Sequence, residues 1–211
     1  MTAAKPYQLD STKILSRVER SRLLKMCNEM AELDLLKGRT TWTTRRTFIY
    51  LGLYSGLRVG EMASLTIADL LLKDASPYIH VRHGKGDKAR KVYIPQGLVK
   101  LLKGYIKYKQ QTLGQDVNPE SPLFASPSGG HVQPITLMKS FKVAIAKAGL
   151  RNELSVHSTR HTYATFLLEE SQDLAHVKKQ LGHTNVSMTL QYADLLPERN
   201  TELVNRMTFE D

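Results

Sequence analysis

The apolar positions of this chain fall into helical stripes along most of its length, interrupted once by a stretch of alternating residues. Val18, Leu23, Leu24, Cys27, Met30 and Ala31 recur at the spacing of one helix face, predicting a helix over 18–33. Leu36-Lys37-Gly38 breaks it. A second helix is predicted from near Thr40 through Ile49, Tyr50 and Leu53 into Ser55-Gly56. Its C-terminal half is apolar nearly all round, so it should lie deep in the core. Gly60 to Leu65 reads as a short helix after a bend. The pattern then changes. Leu70–Leu72, Tyr78–Arg82 and Lys91–Ile94 read as strands, with the glycines of Gly84-Lys85-Gly86-Asp87-Lys88 supplying the turn and Pro95 closing the last strand. A small antiparallel sheet follows.

Helical spacing resumes at Gln96–Thr112, where Leu98, Leu101, Leu102, Tyr105 and Ile106 share a face. Residues 114–134 hold four prolines and three glycines and read as a loop, with Leu123–Ala125 docking on the core. Thr136–Ala148 is helical and Gly149 stops it. A further helix is predicted from Ser155 to before Gln172. Another runs from the N-cap Asp173 to Gly182, and a short one from about Asn185 to Gln191 delivers Tyr192. Pro197–Met207 could form one more, with Leu203, Val204 and Met207 on its apolar side. The fold class expected is α+β, mainly α-helical with a small antiparallel β-sheet. Residues 1–15 read as a tail or linker, 16–195 as one domain and 196–211 as a C-terminal tail.

Charge sharpens this picture. Thirty Lys and Arg stand against twenty Asp and Glu, a net charge of +10 with a sequence pI near 9.7. A domain this basic suits a polyanion, and nucleic acid is the first candidate. Cys27 is the one cysteine, so no intrachain disulfide forms, and a cytoplasmic setting is expected. No apolar run is long enough to span a bilayer and no membrane partner is expected.

Candidate chemistry lies in a few places. His157, Arg160 and His161 fall within one helical turn, His183 follows Leu181-Gly182, and Tyr192 lies nine residues beyond it. Arg58 sits at the bend between two helices. It needs a partner or an anion, and Glu61, three residues on, could be that partner. The turn and return strand carry Lys85, Lys88, Arg90 and Lys91, a set that could reach into a DNA groove. Breaking a phosphodiester requires a nucleophile, positive donors on the non-bridging oxygens and an acid for the leaving oxygen. Guanidinium suits the second task because it is always charged and grips phosphate with a planar fork. Two other readings fit parts of this pattern. One is a DNA-binding protein without catalysis. The other is a metal hydrolase using His157 and His161 at helical ligand spacing, which lacks the glutamate of His-Glu-x-x-His and an acidic cluster.

Taken in order, these motifs resemble the catalytic domain of tyrosine recombinases, the phage-integrase and Xer-type family, over about residues 15–195. Ser55-Gly56-Leu57-Arg58-x-x-Glu61 resembles the first arginine box, and Gly84-Lys85-Gly86 the hairpin lysine. His157-x-x-Arg160-His161-Thr162-Tyr163-Ala164-Thr165 resembles the second arginine box, and Leu181-Gly182-His183 with Tyr192 the C-terminal box. The resemblance implies that Tyr192 attacks a DNA phosphate to form a 3′-phosphotyrosyl link. Arg58 and Arg160, helped by His183, would hold the phosphate oxygens. His157 would give the tyrosine acid/base support and Lys85 would protonate the leaving 5′-oxygen. Glu61 and His161 would support these groups, and no metal or cofactor would be needed. It also implies double-stranded DNA as partner and a homo-oligomer, a tetramer on synapsed DNA, with a monomer allowed in its absence. The tail, through Leu195, Leu196, Leu203, Val204 and Met207, would pack on a neighbouring protomer or on its own domain. Thr159 departs from the apolar residue often found there, and Ala193-Asp194 from the frequent Ala-His. A preceding DNA-clamping domain does not fit in residues 1–15. Tyr192, at the end of a short polar helix, is expected to be the least firmly held member of the site.

Overall fold

The computed structural model describes residues 10–82, 89–183 and 187–193. Its helices are α1 (Arg17–Leu36), α2 (Thr41–Ser55), α3 (Val59–Ser64), α4 (Gln96–Gln111), α5 (Pro134–Lys147), α6 (Val156–Ser171), α7 (Leu174–Leu181) and α8 (Ser187–Ala193). Strands β1 (Leu70–Leu71), β2 (Tyr78–Val81) and β3 (Arg90–Tyr93) form a three-stranded antiparallel sheet in that order. The α+β class expected from the sequence is the class observed. No helix among the described residues is long and apolar enough to cross a membrane.

The all-round apolar half of α2 explains the layout. Phe48, Ile49, Leu51 and Leu53 are buried, and α1, α4, α5 and α6 all pack against this helix. Gly52 permits the approach of α6, because a Cβ there would lie 2.6 Å from Thr159 Oγ1. The Thr159 hydroxyl donates to the Val156 carbonyl (2.7 Å), so a polar residue is tolerated on a buried face. Gly56 ends α2 at φ 63°, and a Cβ there would meet the Tyr163 ring at 2.3 Å. Gly56→Ala should therefore cost about 3 kcal/mol, from left-handed backbone strain plus overpacking. The check is a lowered urea midpoint at unchanged slope.

Local signals set the other helix ends. Ser16 caps α1, its hydroxyl accepting from the Glu19 N–H (3.2 Å) while the Glu19 carboxylate accepts from the Ser16 N–H (2.9 Å). Asp173 caps α7, accepting from the N–H groups of Ala175 (2.8 Å) and His176 (3.0 Å). In the sheet, Tyr78 faces Tyr93 and Val81 faces Arg90, with Ile79, Val81 and Val92 buried. The loop before α5 docks as expected: Leu123 and Phe124 are buried, and the Leu123 N–H donates to the Leu65 carbonyl (2.8 Å).

Two expectations change. Residues 11–15, read as tail, belong to the fold. Leu15 is fully buried and its N–H donates to Thr162 Oγ1 (2.9 Å). Arg151 donates to the carbonyls of Ser11 (3.3 Å), Thr12 (3.1 Å) and Ile14 (2.5 Å) and pairs with Glu19. Two adjacent apolar residues, Ile14 and Leu15, in a polar run give no periodicity, so this docking left no pattern in the sequence. The last helix also runs to Ala193, which places Tyr192 within it rather than after it. The helix expected over Pro197–Met207 and the 196–211 tail lie outside the described residues.

Candidate active site

The site is built where three helix ends meet. The first turns of α6 carry His157, Arg160 and His161. Arg160 is only 5% exposed. Its Nη1 donates to the Gly56 carbonyl (2.6 Å) and its Nη2 to the Leu181 carbonyl (2.8 Å). Those carbonyls close the C-termini of α2 and α7, each capped by a left-handed glycine, Gly56 and Gly182. Helix C-termini present unpaired carbonyls and the negative end of the macrodipole, so a guanidinium is their natural partner. Burial brings the Arg160 pKa down to about 10, with the Arg58 charge adding to the fall and Glu61 and Tyr192 opposing it. It stays charged at neutral pH.

Arg58 precedes α3 and is 25% exposed at its side chain. Its N–H donates to Glu61 Oε2 (2.8 Å) and its Nη1 to Glu61 Oε1 (2.9 Å). The sequence-level pairing with Glu61 is therefore present. Arg90 is the correction. Expected at a DNA groove, its side chain is only 11% exposed and turns inward onto the same carboxylate. Nη1 donates to Oε1 (2.9 Å) and Nη2 to Oε2 (2.8 Å). Burial alone would raise the Glu61 pKa, but hydrogen bonds and charge from Arg90, then from Arg58, hold it below the usual carboxylate range. The period-two alternation of β3 contained the missed signal, since it puts Arg90 on the same side as buried Val92 and Ile94.

Tyr192, expected to be the least firmly held member of the site, is packed rather than exposed. It is 3% exposed and packs with Ala164, Leu168, Val177 and Leu181 in a small apolar cluster between α6, α7 and α8. Its hydroxyl lies 3.1 Å from His161 Nδ1, and its ring stacks on His183 with centroids 6.2 Å apart. His161 was the lesser candidate in the sequence, and the structure brings it to the hydroxyl. His183 is buried, with Nδ1 3.0 Å from Thr189 Oγ1. Sequence reasoning missed Thr189, although it stands three residues before Tyr192 on the same helix face. His157 is exposed beside an open cleft of about 450 Å³ that Lys13, Glu153, Ser155, Ser158 and His161 also line.

All three histidines are held neutral at physiological pH. Desolvation lowers His161 to about 4, with His157, Arg160 and Lys13 adding to it. Desolvation, then Arg160, Arg58, Arg90 and His161, lowers His183 to about 3. His157 is lowered too, by desolvation and then by Arg160 and Arg58. Below the ordinary histidine pKa of 6.5, the unfolded chain binds protons that folded His161 and His183 do not. The stability they contribute is full above pH 6.5 and is lost as pH falls toward 4 and 3. The urea midpoint should therefore drop between pH 7 and pH 5, and a His161→Gln, His183→Gln variant should show a visibly shallower drop.

The hairpin candidates divide. Lys91 is exposed, with Nζ 4.5 Å from the centroid of the Tyr78 ring. Lys85 and Lys88 lie outside the described residues. The structure thus brings Arg58, Glu61, Arg90, Arg160, His161, His183 and Tyr192 together from four separate parts of the chain.

Comparison with known proteins gives the same picture. The profile of the phage integrase family matches residues 13–199. A tyrosine recombinase of Thermosipho africanus is 30% identical over 163 residues, covering 77% of this chain and 54% of that protein. The crystal structure of XerA recombinase is 28% identical with a TM-score of 0.74, covering 97% of this chain and 68% of that one. The XerH site-specific recombinase bound to palindromic difH substrate, a post-cleavage complex, is 25% identical with a TM-score of 0.75, covering 93% and 54%. The chain spans about half the length of the curated relatives it matches. Because that profile matches most of its length, this chain belongs to the phage integrase family.

Proposed function

We propose that this chain is the catalytic unit of a site-specific DNA recombinase that cuts and rejoins strands through Tyr192. The observation that carries the reading is the placement of the Tyr192 hydroxyl on His161 and within electrostatic reach of the buried Arg160. In this reading the Tyr192 oxygen attacks a backbone phosphorus. Its proton passes to a neutral imidazole: His161 is at hydrogen-bond distance, and His157, at the cleft, supports it. The P–O5′ bond breaks and a 3′-phosphotyrosyl ester forms. Lys85, between β2 and β3 in sequence, gives the leaving 5′-oxygen its proton. Arg58, Arg160 and His183 stabilise the charge that builds on the non-bridging oxygens.

Two physical features support this assignment. The guanidiniums supply the positive charge that a metal ion supplies elsewhere, so the step needs neither metal nor cofactor. The ester preserves the bond energy, so a second DNA end can take the strand back without a nucleotide cofactor. The partner is double-stranded DNA, matching the net charge of +10, with Lys88 and Lys91 as further phosphate contacts. Residues 16–195 form the catalytic unit, extended by the docked segment 11–15. A tetramer on synapsed DNA, with residues 196–211 packed on a neighbouring protomer, completes the reading.

The test starts from duplexes selected for binding out of a random pool. The winner is rebuilt with a nick beside the cleavage position, so that a cut strand end diffuses away, and incubated with the protein in EDTA. A denaturing gel should show a covalent protein–DNA band, and mass spectrometry should place the adduct on Tyr192. No band on a tightly bound duplex would favour a DNA-binding protein without catalysis. A band that disappears with EDTA would favour metal chemistry.

A further inference from the structure

We infer that Arg90 is a positioning residue that keeps the phosphate site positive, by occupying both oxygens of Glu61 and so leaving most of the Arg58 guanidinium to a phosphate. The inference rests on the phosphate-handling role of Arg58 proposed above. A carboxylate paired with Arg58 alone would cancel its charge and engage its planar fork. In the structure that fork-to-fork geometry belongs to Arg90, through contacts of 2.9 and 2.8 Å. Arg58 makes one side-chain contact with Glu61, and the second oxygen receives its backbone N–H. Two guanidiniums on one carboxylate leave a net positive unit beside Arg160.

Arg90 is itself firmly placed. Its Nε donates to the Gln180 carbonyl at the end of α7 (3.2 Å). Its stem runs beneath Gly182, where a Cβ would lie 2.7 Å from Arg90 Cδ and 3.0 Å from Nε. The missing side chain at Gly182 is therefore what admits the arginine next to His183. Lysine at position 90 would keep the charge but, as a single ammonium, would not occupy both Glu61 oxygens in the same way.

Inorganic phosphate binding to the purified chain tests this, read from the ring nitrogens of ¹⁵N-labelled histidine. Arg58→Met and Arg160→Met should each weaken phosphate by at least about tenfold, the size of a lost charge-assisted contact. Arg90→Met should weaken it by about tenfold and Arg90→Lys by about threefold, although neither residue touches the phosphate. Adding Glu61→Gln to Arg90→Met removes the charge that Arg90 offsets and should restore affinity to within about twofold of the starting protein. The His183 titration should move upward in Arg90→Met and stay in place in Arg90→Lys. If Arg90→Met does not fold, Arg90→Lys with and without Glu61→Gln carries the same comparison. Normal phosphate affinity in the Arg90 variants alongside weakened Arg58→Met would overturn the inference. So would a loss that Glu61→Gln does not restore, which would make Arg90 a plain structural support. Unchanged binding in both Arg58→Met and Arg160→Met would remove the phosphate-site reading itself, and the inference with it.

Discussion

Tyr192→Phe is expected to abolish covalent capture of DNA while leaving the fold intact. The ring fills the cluster of Ala164, Leu168, Val177 and Leu181 and stacks on His183, and phenylalanine keeps all of that surface. Only the hydroxyl is lost, with its hydrogen bond to His161 Nδ1. Removing one such bond changes stability by about 1 kcal/mol. The chemistry has no such margin, because without the phenolic oxygen no ester to phosphorus can form at this position. The nicked-duplex gel should show no adduct, while urea melting and duplex affinity stay close to those of the unmodified chain. A covalent band of normal intensity would move the nucleophile elsewhere, and a collapse in melting would make Tyr192 chiefly a core residue.

Arg160→Lys should lose both activity and stability. The guanidinium reaches the Gly56 and Leu181 carbonyls at once, from a side chain that is almost wholly enclosed. A lysine ammonium cannot reproduce that planar double contact and still present charge to a phosphate. Leaving one buried carbonyl unsatisfied costs about 2 kcal/mol. Loss of an aligned donor to a developing oxyanion lowers the rate by about 10²- to 10³-fold. Together these should appear as a lower urea midpoint and an adduct time course slowed by about 10³-fold. A normal rate with lowered stability would show that Arg160 ties helices together and does nothing more.

The helices and the hairpin strands were legible because each carries its own local signal. Asp173 marks a start, Gly56, Gly149 and Gly182 mark ends, and the apolar stripes choose the buried faces. The candidate residues were legible through spacing in short motifs. Their pairings were not. Arg90 meets Glu61 from 29 positions away, and His161 meets Tyr192 across 31. Neither helical nor strand periodicity encodes which long-range partner a side chain finds. Arg90 was assigned to DNA because it follows a basic turn, whereas strand alternation, a weaker cue over four residues, pointed inward. Tyr192 was expected to be loosely held because the short helix carrying it is polar in sequence. Its anchorage comes from α6 and α7, which that helix's own composition does not reveal.

Gln180 has a consequence for how the molecule behaves among its own copies. Its side-chain amide accepts from the Tyr93 N–H (3.1 Å) and donates to the Tyr93 carbonyl (3.3 Å), repeating the pattern of a neighbouring strand. β3 is the outer strand of the sheet, and such a strand otherwise offers unpaired backbone groups to any chain that drifts by. A single carboxamide from α7 occupies this edge at Tyr93, and β1, only two residues long, offers little at the other. If copies gather on DNA as proposed, this pairing leaves less of β3 open to a neighbour's strand.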